Sequence, residues 1–254
     1  MGGMTISFLF LAGIGGGLIN AMAGGATLIT FPAMLMAGLP AITANASNAV
    51  AISPGHLLAA MADRAKLPAK SMRFGVLCAT ALLCGAVGAC TVLVLPERLF
   101  TLPVPALIGF ATILFACAPK IQAWALKHKY VADSASIGVG ASVIGAASLY
   151  GGFFGAGLGV MLTAVLAIVE VGDIRTIKAL KNVLASCVSA AAVIIFVGRG
   201  AVAWAPTLVM LGGALIGGYL GGHLIRILPT TWVRNFVIAA GTVMTLIYAR
   251  QYWF

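Results

Sequence analysis

Residues 150–182 read YGGFFGAGLGVMLTAVLAIVEVGDIRTIKALKN. Gly151, Gly155 and Gly159 open the stretch at a four-residue spacing, and an apolar run to Val169 follows. Glu170, Asp173, Arg175 and Lys178 form a mixed-charge patch, and the stretch closes on Lys181 and Asn182. Residues 16–48, GGLINAMAGGATLITFPAMLMAGLPAITANASN, have the same layout. An ungapped slide of 134 residues places Gly17 on Gly151, Gly25 on Gly159, Gly38 on Gly172 and Asn48 on Asn182. A pattern present twice, each copy ending in asparagine, points to one site built from two halves.

Composition sets the solvent of this chain. It is 62% hydrophobic and only 8% charged, where soluble domains carry about 25% charged residues. No Asp, Glu, Lys or Arg precedes Asp63. These features exclude an ordinary soluble fold and predict an all-α, polytopic helical membrane protein of the cell (inner) membrane. The long apolar runs lack the alternation of a β-barrel. The start, MGGMTISF, has no basic region of the kind that precedes a cleaved signal. The net charge of +10 comes from bases clustered between apolar runs. They read as topology signals and lipid-headgroup contacts, not as a nucleic-acid surface. The five cysteines lie in apolar runs without a C-x-x-C and read as small buried hydrophobes.

Met4 to Gly38 is 35 residues long. As one helix it would reach about 52 Å, against a hydrocarbon core of about 30 Å. It must break, and Gly15-Gly16-Gly17 and Gly24-Gly25 are the weak points. Two pieces are expected, Thr5–Ala23 and a half-helix at Ala26–Gly38. Thr43–Ala62 is a polar helix that Pro54-Gly55 should loosen. Residues 63–73 form a basic loop, 74–95 a span, 96–103 a turn, and 104–118 a further span. Lys120 to Asp133, with Lys127, His128 and Lys129, is the longest polar connector. Residues 134–169 are again charge-free and too long for one helix, with a break at Gly151–Gly159. Helices at about 175–197, 205–225 and 233–249 close the chain, with Pro229 at a turn.

The domain reading is therefore a first membrane repeat at 1–119, a cytoplasmic connector at 120–133 and a second repeat at 134–254. If each long stretch crosses once, nine of the fifteen bases share the side of the 63–73 loop. If each crosses twice or is re-entrant, twelve do, Lys70 and Arg226 among them. The positive-inside rule favours the second case. It makes the repeats inverted, each with a broken or re-entrant first helix, and puts both termini outside.

Inverted repeats with broken helices place a site near the midplane, where half-helix N-termini favour an anion. Gly24, Gly25, Gly155 and Gly159 would let backbone approach it. Close helix packing is the competing reading, and it is favoured for Gly13/Gly17 and Gly213/Gly217/Gly221. Lys181 either snorkels or faces the bundle, where it would be a functional residue by default. Asn45, Asn48 and Asn182 would supply donors. Arg175 and Lys178 read as interfacial. Glu170 and Asp173 either gate against them or are ordinary loop charges. His56 is a candidate proton relay, or else a buried hydrogen-bonded histidine. There is no H-E-x-x-H and no phosphate-binding loop, so neither a metal nor a cofactor is implied.

At GGGLINAMAGGATLITFPAMLMAGLP, ANASNAVAISPG, YGGFFGAGLG and ALKNVLAS the chain resembles the sulfite exporter TauE/SafE family of membrane transporters. The resemblance covers nearly the whole chain. It implies transport of sulfur-containing anions such as sulfite, sulfoacetate or related organosulfonates. Relatives often carry lysine after the first asparagine motif, whereas Ala49 follows Asn48 here. The combined expectation is a secondary transporter that works by alternating access between two repeats, and not an enzyme. Its substrate-binding residues would be Asn45, Asn48, Lys181, Asn182, Gly24, Gly25, Gly155 and Gly159. Its partners would be a small anion, membrane lipid and a coupling ion, proton or sodium. The alternatives are an intramembrane hydrolase using Ser53 or Ser47 with His56, and a passive anion channel.

Overall fold

The computed structural model describes residues 2–22, 24–68, 71–127, 137–170, 174–224 and 230–254. Among them all regular structure is helical. Lys70, His128, Lys129, Asp133, Gly172, Asp173, Arg226 and Pro229 lie outside the described residues.

The first long stretch breaks where glycine permits it. Helix α1 (Gly3–Met22) ends before Gly24, and α2 (Thr27–Met36) starts just beyond. Gly24 has φ +74°, a conformation costly for other residues. Its N–H donates to the carbonyls of Ile19 and Asn20, satisfying the end of α1. The second long stretch breaks the same way. Helix α7 (Ile137–Phe153) gives way to α8 (Leu158–Val169) through Gly155 and Gly157, at φ +79° and +80°. The Tyr150 hydroxyl donates to the Ala156 carbonyl at 2.9 Å and holds this turn. The two breaks, at Gly24 and Gly155, correspond at a shift of 131 residues. The ungapped shift of 134 therefore aligns the asparagines but misses the breaks by three positions.

The remaining elements are α3 (Ala41–Ala62), α4 (Met72–Val94), α5 (Glu97–Thr101), α6 (Val104–Lys127), α9 (Ile174–Gly198), α10 (Trp204–Leu224) and α11 (Thr230–Trp253). Three expectations change. The connection at 96–103 contains the short helix α5. Helix α6 runs through Pro119 to Lys127 and so extends into the 120–133 connector. Helix α3 continues through Pro54 without interruption. Among the described residues, six helices are long and apolar enough to cross a membrane. Helix α3 has the length but not the apolarity, because it carries Asn45, Ser47, Asn48, Ser53 and His56. Exposed Leu83, Ile113, Ile194, Leu208 and Phe236 clothe the outside of the bundle.

Two glycine seams bring backbones together. Gly13 lies on Met210 and Ala214, Gly17 on Ala214 and Gly218, and Gly221 on Leu18 and Ala21. Helices α1 and α10 therefore run parallel in close contact. Gly145 faces Thr80 and Cys84, Gly152 faces Gly85, and Gly88 faces Leu149 and Phe153, so α4 and α7 also run parallel. Lipid offers no hydrophobic drive between helices, so such close packing supplies the attraction.

The neighbour relations survive an exchange of halves. Helix α1 packs on α10 and α7 on α4; α3 packs on α10 and α9 on α4; α2 packs on α11 and α8 on α6. The elements that occupy equivalent places face each other. Helices α3 and α9 touch along their length and run antiparallel, with Asp63 beside Asn182 at one end and Asn45 near Phe196 at the other. Helices α6 and α11 are also antiparallel, with Gly109 against Thr245 and Thr112 against Gly241.

Candidate functional site

A cavity of about 870 Å³ lies between the halves. It sits at the end of the bundle where α1, α3, α6 and α10 finish and α9 and α11 begin, as Ala21, Asp63, Gln122, Gly222, Lys178 and Thr231 in its wall show. Five of the expected site residues line it: Gly24, His56, Gly159, Lys181 and Asn182. Both breaks converge on the lysine. A Cβ added at Gly159 would lie 3.8 Å from Lys181 Cδ and 3.8 Å from the Gly24 carbonyl oxygen. The lysine stem and the Gly24 carbonyl thus lie in ordinary van der Waals range of the first turn of α8.

The cavity wall is rich in donors. Lys178, Lys181 and Arg234 line it, together with Asn20, Gln122, Thr163, Asn182 and Tyr219. Arg234 Nε is buried without a hydrogen-bond partner. An orphaned charged donor is costly unless something anionic or aqueous meets it. The Asn182 amide donates to Asp63 Oδ2 at 2.9 Å, and Lys66 Nζ lies 2.6 Å from Asp63 Oδ1.

The other expected residues separate from these. Asn45, Asn48 and Gly155 surround a second pocket of about 30 Å³, which also touches Thr27 and Ser189. That volume admits about one or two waters. Asn45 uses its amide N–H to bind the Phe153 carbonyl at 3.0 Å, supporting the end of α7. Asn48 is 1% exposed, and its Oδ1 has no partner. Ile52 and His56 line both spaces and so stand between them. Aromatic rings pack at and near the small pocket, with Phe154 and Phe196 in its wall. Phe31 meets Phe154 edge-on at 5.1 Å, and Phe100 meets Phe153 at 5.6 Å. Gly25 lines neither space; a Cβ there would lie 2.8 Å from Phe115, so it is a packing glycine.

Charges read as loop or gate residues find other partners. Glu170 pairs with Arg73 at 2.7 Å, not with Arg175 or Lys178, and Arg73 also donates to the Val169 carbonyl. The hydroxyls offered for hydrolysis are engaged elsewhere. Ser53 Oγ donates to the Val50 carbonyl at 3.0 Å, and Ser47 Oγ accepts from the Ala203 N–H at 3.0 Å. His223 is exposed, its ring tilted against that of Tyr219 with centroids 4.8 Å apart. All five cysteines are free.

Asp63, Arg234 and Asn20 are the wall residues that sequence reasoning missed. Asp63 and Arg234 look like interface charges at helix ends, and nothing in their local pattern points inward. Asn20 carried a signal, since a lone polar residue in an apolar stretch facing protein is a functional candidate.

The sulfite exporter TauE/SafE family matches residues 9–248. The chain belongs to this family. A curated relative from Haemophilus influenzae, described as a probable membrane transporter protein, is 26% identical over 251 residues, covering 98% of this chain and 96% of the relative. No solved structure matches the chain. With six apolar spans among the described residues, this TauE/SafE member is a multi-pass membrane transporter of the cell membrane.

Proposed function

We propose that this TauE/SafE protein is a secondary transporter of sulfur-containing anions, of the class of sulfite, sulfoacetate and related organosulfonates. The observation that carries the reading is the cavity in which Lys181 and the unpartnered Arg234 share a wall with Asn182. An anion stripped of water needs compensating charge and several donors, and this wall offers both. The family's description as a sulfite exporter supports the choice of sulfur oxyanions.

The antiparallel facing of α3 with α9, and of α6 with α11, supports an inverted repeat of 1–119 and 134–254 about the 120–133 connector. The cavity reaches the end of the bundle that carries Arg64, Lys66, Lys120, Arg175 and Lys178, the cytoplasmic end by the positive-inside rule. In this reading the Phe31–Phe154 and Phe100–Phe153 pairs close the other end. The structure is then the inward-facing member of an alternating-access pair, and rocking of one repeat against the other carries the anion past Ile52 and His56. In this scheme Asn45, Asn48 and Gly155 contact the anion only after that movement. In the same scheme His56, which lines both spaces, relays a coupling proton.

Flux into proteoliposomes tests the reading. Uptake of sulfite or sulfoacetate that saturates, and that accelerates when the same anion is loaded on the far side, supports alternating access. Flux that rises without saturation supports the passive channel, and no flux with either anion overturns the substrate class.

A further inference from the structure

Asp63 is out of place by local rules. It caps the C-terminal end of α3, where the unpaired carbonyls make a negative charge unfavourable. Its surroundings account for it. The carboxylate accepts from Asn182 through Oδ2 at 2.9 Å and from Lys66 through Oδ1 at 2.6 Å. The adjacent Lys181 is under the attraction of Asp63 and the repulsion of Lys178. Among the described residues, Asp63 is the only carboxylate in the cavity wall. Its side chain is 24% exposed, so it sits where the cavity meets water.

These contacts match what an oxyanion would make. A carboxylate and a sulfite or sulfonate head both present negative oxygens to one amide and one ammonium. We infer that Asp63 is a tethered stand-in for the transported anion: in the empty cavity it holds the Asn182 amide and balances Lys181, and an arriving anion displaces it. The inference rests on the anion reading of the cavity. It adds a consequence for movement. The Asp63–Asn182 bond ties the end of α3 in the first half to α9 in the second. Displacing Asp63 loosens that tie when, and only when, an anion has replaced it.

The test is anion affinity, measured by titration calorimetry on the purified full chain with sulfite and with sulfoacetate. A site blocked most of the time binds with an affinity reduced by the free fraction. Asp63→Asn should therefore bind about tenfold tighter. Asp63→Ala should shift the same way, showing that the new amide is not responsible. Lys66→Gln, at a position whose side chain is 51% exposed, removes the outer partner and presses Asp63 inward; its affinity should fall several-fold. This variant decides the matter if the Asp63 variants do not fold. Parent-like affinity in every variant overturns the stand-in and leaves the anion site intact. A parent and variants that bind neither anion overturn the anion reading, and the stand-in with it.

Discussion

The Asn182 amide donates to Asp63 Oδ2 at 2.9 Å, joining residues 119 positions apart across the mouth of the cavity. It places Lys181, the next residue along α9, in the wall of that cavity and not out in the lipid headgroups. The lysine so placed shares the cavity wall with Arg234, whose Nε has no hydrogen-bond partner, and the proposed anion site rests on these two charges.

Lys181→Ala should weaken binding of the cognate anion by roughly 3–5 kcal/mol, the scale of breaking one side of a buried ion pair. Lys181→Arg should restore only part, because a planar, weakly hydrated guanidinium differs in shape and hydration from a compact ammonium. Calorimetry or ligand-induced thermal shift measures both. Unchanged affinity in the alanine variant would assign the charge to Arg234 or Lys178.

Asn48 separates function from stability. Its Oδ1 is buried and unpartnered, so Asn48→Leu removes a desolvation penalty of about 1–3 kcal/mol and should leave the fold as stable or more so. Transport should nevertheless drop, because the small pocket loses its polar lining. A thermal melt beside a flux assay checks this. A marked loss of stability would mean that Asn48 has a structural partner.

The two kinds of glycine should respond differently. Gly155→Ala forces a side chain onto φ +79° and sets its Cβ 3.2 Å from the Gly151 carbonyl. A cost of about 1–2 kcal/mol follows from the backbone conformation, with a loss of transport from the shifted break. Gly217→Val should instead prevent folding, because its Cβ would overlap the Ile14 backbone in the α1–α10 seam. Expression level and detergent monodispersity tell the two outcomes apart.

Topology is checked by single-cysteine labelling in a cysteine-free background. Arg64→Cys and Lys66→Cys should label from the cytoplasm, and cysteines near Gly3 and Phe254 from outside. A C-terminus labelled only from the cytoplasm contradicts the inverted arrangement.

Hydropathy and glycine alone determined much of this protein. Both act locally. An apolar stretch longer than the bilayer must break, and it breaks where a residue tolerates positive φ, as Gly24 and Gly155 do. The helices, the two interruptions and Lys181 beside Asn182 were therefore legible. The resemblance carried by the glycine and asparagine motifs pointed to the family.

Only the tertiary structure decided which polar residues meet. Asn48 and Asn182 occupy matching places in the two copies, yet one faces the small pocket and the other the large cavity. The antiparallel contact of α3 with α9 sets its two ends apart, so equivalent asparagines land at different depths. Asp63 and Arg234 resemble interface charges in one dimension, and they line the cavity because α3 and α11 bring them to it from opposite halves of the chain. Juxtaposition across helices depends on the rotation and depth of each helix against its neighbours. No local pattern along the chain records those quantities.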